Sequence, residues 1–164
     1  MGKLELVLET ENLSIYSPKI DGETQTEFEK FMSSYDNLPQ PQLRKDFASI
    51  IAVIKKMADD CGARENLFRP EGGKIKAVPL FIAQRRKRGV GTLRLYCIRI
   101  SDKILVVGNG GIKKVAKYED DPNLSDIVNR LRCIERRISM ETRKAHACYE
   151  DCETVKKIIE TITI

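Results

Sequence analysis

The 164-residue chain has no tryptophan, a single histidine, and no apolar run near the roughly 20 residues that a membrane span requires. Its opening, MGKLELVLETEN, alternates apolar and acidic residues unlike a secretory leader, so a cytoplasmic protein is expected. Cysteine is present, but without the pattern of a framework. Cys61, Cys97, Cys133, Cys148 and Cys152 are odd in number and scattered, which is poor material for a disulfide framework and predicts free thiols.

Acidic residues are scarce in the middle. Residues 64–118 hold fourteen Lys and Arg against Glu65, Glu71 and Asp102, a net of +11, which leaves −6 for the rest of a chain of net charge +5. A basic middle on an acidic frame suggests a polyanionic partner, most plausibly nucleic acid, although surface lysines can also cluster without one. The same stretch lacks histidine, since His146 lies outside it, and this excludes a two-histidine ribonuclease site. Three scattered acids cannot form the carboxylate cluster of a two-metal nuclease. The run Gly108-Asn109-Gly110-Gly111 before Lys113 lacks the G-x-x-x-x-G-K-[ST] spacing of a phosphate loop. His146, Cys148 and Cys152 form H-x-C-x3-C on a predicted helix, three possible zinc ligands without an evident fourth. No metal and no cofactor is expected.

What is present is a set of patterned elements. Residues 4–16 read as an N-terminal strand or small hairpin, ended by Pro18 and Asp21-Gly22. Thr24 with Glu27 has capping-box spacing and predicts a short helix over 24–34. After Pro41, Leu43, Phe47, Ile50, Ile51, Ile54, Met57, Ala58 and Cys61 form one stripe, with Gly62 placed for a left-handed cap. Lys74 to Leu80 alternates as a strand that Pro79 places at an edge or an end. Residues 92–100 and 104–107 predict a hairpin about Ser101-Asp102-Lys103, and the glycine run is expected to break the sheet. Asp121-Pro122 starts a helix with a stripe from Leu124 to Ile138, and Ser139 could restart another through Ile162.

On the first hairpin strand Leu93, Leu95, Cys97 and Arg99 alternate with Arg94, Tyr96, Ile98 and Ile100. The first set makes the better core face, which leaves Arg94 and Tyr96 on an open one. There they offer a phosphate anchor beside a stacking or proton-transfer group, or merely a solvated cross-strand pair. Arg85-Arg86-Lys87-Arg88 reads as a phosphate-contacting arm or a solvated loop.

Residues 93–99, Leu-Arg-Leu-Tyr-Cys-Ile-Arg, resemble the L-R-x-x-Y/F-x-x-R-like strand of the RelE/HigB superfamily of bacterial and phage toxins. Residues 104–114 are similar to that family's apolar strand, glycine-containing turn and Lys-Lys exit, and Asp121-Pro122 to the start of its C-terminal helix. The resemblance implies one α+β, RelE-like domain: a small antiparallel sheet against two N-terminal helices, a core over about residues 1–138 and a helical extension over about 139–164. It implies the toxin of a toxin–antitoxin pair, a metal-independent endoribonuclease (a hydrolase) acting on mRNA on the ribosome and held by a cognate antitoxin. Carried over, Arg94 stabilises the transition state, Lys113 or Lys114 binds phosphate or assists proton transfer, and Tyr96 stacks on a base or shuttles a proton. Arg69, Arg85, Arg86, Lys87, Arg88, Arg99 and Lys114 are expected to contact RNA. A non-catalytic RNA- or protein-binding domain on the same fold is the alternative.

Overall fold

A computed structural model describes residues 2–80 and 89–164. The fold is α+β, a mixed six-stranded sheet with four helices. Strands β1 (Gly2–Glu9) and β2 (Ser14–Ile20) form the N-terminal hairpin. Helices α1 (Glu27–Tyr35) and α2 (Pro41–Lys56) follow, α2 ending in a wider π-helical turn, Met57–Cys61. Then come β3 (Arg69–Pro70), β4 (Ile75–Val78), β5 (Thr92–Arg99), β6 (Ile104–Lys113), α3 (Pro122–Lys144) and α4 (Cys152–Thr161). The strand order is β1-β2-β6-β5-β4-β3. All pairings are antiparallel except β2 with β6, which run parallel over Ser14–Tyr16 and Ile104–Val106, so the sheet is mixed where a purely antiparallel one is expected.

Alternation along the strands sorts the core into two layers. Leu93, Leu95 and Cys97 join Leu105 and Val107 against Phe31 of α1 and Leu43, Ile50, Ile54 and Met57 of α2. Tyr96 and Ile98 join Ile75, Ala77 and Val106 against Leu124, Val128, Leu131 and Ile138 of α3 and Val155 and Ile159 of α4. The sheet is therefore covered on both faces. This overturns the expectation that Arg94 and Tyr96 stand on an open face: they are 2% and 0% exposed. The physical reason is that Tyr96, Ile98 and Ile100 are as apolar as the opposite set, and the α3 stripe needs them.

Cap chemistry sets the helix starts. Thr26, not Thr24, caps α1: its Oγ1 accepts from Glu29 N at 3.2 Å, and Glu29 Oε1 accepts from Thr26 N at 3.1 Å. Glu27 is thereby freed to accept from Asn109 Nδ2 at 3.1 Å. Asp121 caps α3, accepting from Asn123 N at 2.9 Å and Leu124 N at 3.2 Å, with Pro122 in the first turn. Helix α3 runs unbroken past Ser139 to Lys144, so no second helix starts there.

The glycine run does not break the sheet either. β6 continues through it to Lys113, with Gly108 and Asn109 in a bulge opposite Tyr96. A Cβ on Gly110 would lie 1.8 Å from Arg94 O, and one on Gly108 would lie 3.0 Å from a Leu131 methyl of α3. These glycines let β6 stay paired to β5 while α3 descends on it. Gly110→Ala should therefore cost about 3 kcal/mol in urea unfolding, near the upper end of overpacking effects, and Gly108→Ala less, because a leucine side chain can yield where a backbone carbonyl cannot. Equal costs would contradict this account of the bulge.

Candidate nucleic-acid interface

Strand parity places four of the expected residues together at one end of the sheet, on its α3 side. Arg69 of β3 pairs with Ala77, and Ala77 pairs with Tyr96. Arg94 of β5 pairs with Gly111, two residues before Lys113 on the same face of β6. Glu71, at the β3–β4 turn, stands among them with its Oε1 3.7 Å from Arg69 Nε. Arg132 of α3 holds that turn down, its Nη2 donating to Glu71 O at 2.8 Å and to the Tyr118 hydroxyl at 2.9 Å. The Tyr118 ring meets Tyr96 edge-on at 6.2 Å.

The electrostatics of this recess are unusual for a core. Arg94 donates through Nη1 to Pro79 O at 2.8 Å, but its Nε has no hydrogen-bond partner among the described residues. Tyr96 Oη and Glu71 Oε1 have none either. Buried polar groups are normally satisfied, so Arg94 Nε and the Tyr96 hydroxyl without partners, beside a Glu71 oxygen held only by its long contact to Arg69, are unusual together. Burial, and then Arg69, lowers the Arg94 pKa, while Tyr96, Glu71 and Asp46 oppose the shift. Burial, then Arg69 and Arg94, also lowers that of Lys113, against Glu71 and Glu119. Burial raises the Glu71 carboxyl above its usual 4.5 despite the surrounding cations. Burial, with Glu71 next, raises the Tyr96 phenol well above its ordinary value, so it stays protonated at neutral pH.

The remaining expected residues divide. Lys114 is exposed beside Lys113, and the Arg69 side chain is 41% exposed. Arg99 stands apart: it lies about 16 Å along β5 from Arg94. There its Nε donates to Ala63 O at 2.7 Å and its guanidinium pairs with Asp102, a structural post at the far sheet end. Arg85, Arg86, Lys87 and Arg88 lie outside the described residues. Tyr96 has no free ring face for a base to stack on, because Tyr118 and the core surround it. His146 and Cys148 lie in the α3–α4 loop and Cys152 opens α4, so they share no helix face. No metal-holding group of three or more His, Cys, Asp or Glu occurs among the described residues. No helix among them is long and apolar enough to cross a membrane.

Glu71 is the residue that sequence reasoning misses. Next to Gly72-Gly73 it looks like turn material, and only the two-residue pairing of β3 with β4 reveals that it returns to the cationic row. A cleft of about 810 Å³ opens elsewhere, where β2 and β6 diverge beside α1 and α3. It suits an anion less well: Glu27 and Asp126 line it, and its Arg130 already meets Asp126 at 3.1 Å.

Comparison with family models, curated proteins and solved structures finds no match to the chain.

Two stability measurements probe the recess. A carboxyl whose folded-state pKa is raised holds its proton more tightly when folded, so its contribution to stability is full below 4.5 and is lost as pH rises toward the folded value. The wild-type-minus-Glu71→Gln difference in urea stability should fall across that window and then level off; a flat difference would contradict the burial of the carboxylate. Tyr96→Phe removes an unpaired buried hydroxyl and should leave stability unchanged or raise it by about 1 kcal/mol, whereas a clear loss would reveal a partner for that hydroxyl.

Proposed function

We propose that the chain is an RNA-cleaving domain of the RelE/HigB type, and that the recess formed by Arg69, Glu71, Arg94 and Lys113 holds the scissile phosphate. The observation that carries this reading is the concentration of three cations around one carboxylate, with Arg94 Nε buried and unpartnered. A phosphate oxygen would satisfy that donor and offset the excess positive charge.

The chemistry follows from the pKa directions. The RNA's 2′-OH attacks the adjacent phosphorus, its proton passes to a base, and the 5′-oxygen leaves with a proton from an acid. A 2′,3′-cyclic phosphate and a 5′-hydroxyl result. Proton transfer is most effective when donor and acceptor pKa values lie near the working pH. Glu71, shifted up, fits the base, and Lys113, shifted down, fits the acid. Arg94 and Arg69 take the charge that builds on the non-bridging oxygens. Tyr96, kept protonated, serves as a hydrogen-bond donor rather than as a base. Lys114, on the exposed side, extends the cationic track for the backbone. In this reading the substrate is mRNA on the ribosome, and a cognate antitoxin restrains the activity.

Burial of Arg94 and Tyr96 favours a second reading, RNA binding without cleavage. Purified protein incubated with mRNA, alone and on programmed ribosomes, separates the two. Wild type should produce cyclic-phosphate ends. Glu71→Gln should lower the rate by about 10²–10⁴-fold and Arg94→Gln by about 10²–10³-fold, with native circular dichroism retained. Salt-sensitive retention of RNA with no cleavage by wild type would establish the binding reading. Cleavage undiminished in both variants would overturn the site.

A further inference from the structure

The β3–β4 turn borders a notch that the cleavage reading does not use. Residues 72–75 line it from the sheet, and Arg132, Glu135 and Arg136 line it from α3. Its volume of about 210 Å³ falls below the roughly 300–1,000 Å³ of pockets that enclose organic ligands, and suits a small hydrated ion. Arg132 and Arg136 stand one helical turn apart, a spacing at which like charges repel. Neither they nor Lys74 forms an ion pair among the described residues. The one carboxylate that lines the notch, Glu135, accepts from the Tyr149 hydroxyl at 3.0 Å, and Lys74 Nζ lies 5.5 Å from the centroid of the same tyrosine ring. Arg132 donates to Glu71 O and to Tyr118 through Nη2 alone, so its Nε and Nη1 have no partner among the described residues. The backbone N–H groups of Gly72, Gly73 and Lys74 have none there either. Glycine is required at Gly72: its φ is +106°, and a Cβ would lie 3.1 Å from Arg132 Nη2.

We propose that this notch binds a phosphate group through the Lys74 ammonium, the Arg132 and Arg136 guanidiniums and the turn amides. Three cations against one carboxylate that is already hydrogen-bonded leave a net attraction for an anion, and successive N–H groups in a turn can cradle one. Guanidinium forks match phosphate oxygens two at a time, which favours phosphate over a halide. An RNA backbone and free phosphate both offer this group. The RNA source rests on the reading above; the site itself does not. Arg132 links the two places, because the turn whose carbonyl it holds carries Glu71 into the recess. On that reading the notch takes a backbone phosphate other than the scissile one.

Amide NMR of the full chain, titrated with inorganic phosphate at constant ionic strength beside a chloride control, tests the site. Phosphate should shift the amides of Gly72, Gly73 and Lys74 saturably, and chloride should not. Arg136→Gln, at an exposed position, should weaken this binding about tenfold with circular dichroism unchanged. Arg137→Gln, next to it but outside the notch, should leave it unchanged. Shifts that are absent, that chloride reproduces, or that the two variants reduce equally would overturn the proposal. Binding to single-stranded RNA with 2′-deoxy sugars then assigns the source. A salt slope shallower by about 0.7 in Arg136→Gln assigns a backbone phosphate, and an unchanged slope beside intact wild-type phosphate binding assigns free phosphate. RNA that does not bind at all would overturn the RNA reading while the phosphate titration still upholds the notch.

Discussion

The close approach of α3 to β6 is the constraint on which the rest of this structure depends. It is possible because Gly108 and Gly111 put no side chain where Leu131 and Leu124 must lie. Packing at that distance brings Leu124, Val128 and Leu131 onto Tyr96 and Val106 and turns a half-covered sheet into one buried on both faces. It also brings Arg132 over the β3–β4 turn, and so fixes where Glu71 sits. A sheet layer made for packing thus carries, at one end, a charged recess that water cannot fully solvate.

That recess gives the chain its chemical character. Cations placed near one another in water are screened, but at Arg94 and Lys113 burial removes the screening, and the pKa of each is lowered. Glu71 responds in the opposite direction. On the proposed reading, two groups whose protonation preferences are drawn toward neutrality, next to a guanidinium nitrogen without a hydrogen-bond partner, would move a proton beside the bound phosphate. Histidine is not needed for this, which agrees with a chain whose only histidine lies in the α3–α4 loop.

Much of the fold is legible in the sequence because its signals are local. The α2 stripe, the Asp121-Pro122 start of α3, and the β5–β6 hairpin about residues 101–103 follow from periodicity and cap chemistry. What is not legible depends on tertiary partners. Thr24 and Thr26 both have the capping spacing, and the spacing alone does not say that Glu27 turns to Asn109 while Glu29 closes the box with Thr26. A glycine run reads the same in a turn and in a bulged strand until a helix is known to rest on it. β5 reads as apolar on both faces, as strands buried on both sides do, so alternation cannot say that Tyr96 is covered. Arg94, Tyr96, Lys113 and Arg69 nevertheless stand out from residue type alone, and they do converge. Arg99 does not join them, because residue type does not tell which end of a strand a cation serves.

The claim that this recess engages RNA phosphate is tested most directly by the salt dependence of binding to a single-stranded RNA that carries 2′-deoxy sugars and so cannot be cleaved. Neutralising one phosphate on a single strand contributes about 0.7 to the slope of log affinity against log salt. Lys113→Met should therefore bind more weakly than wild type and show a slope shallower by about 0.7. Equal affinity and an unchanged slope would contradict the engagement of phosphate at Lys113.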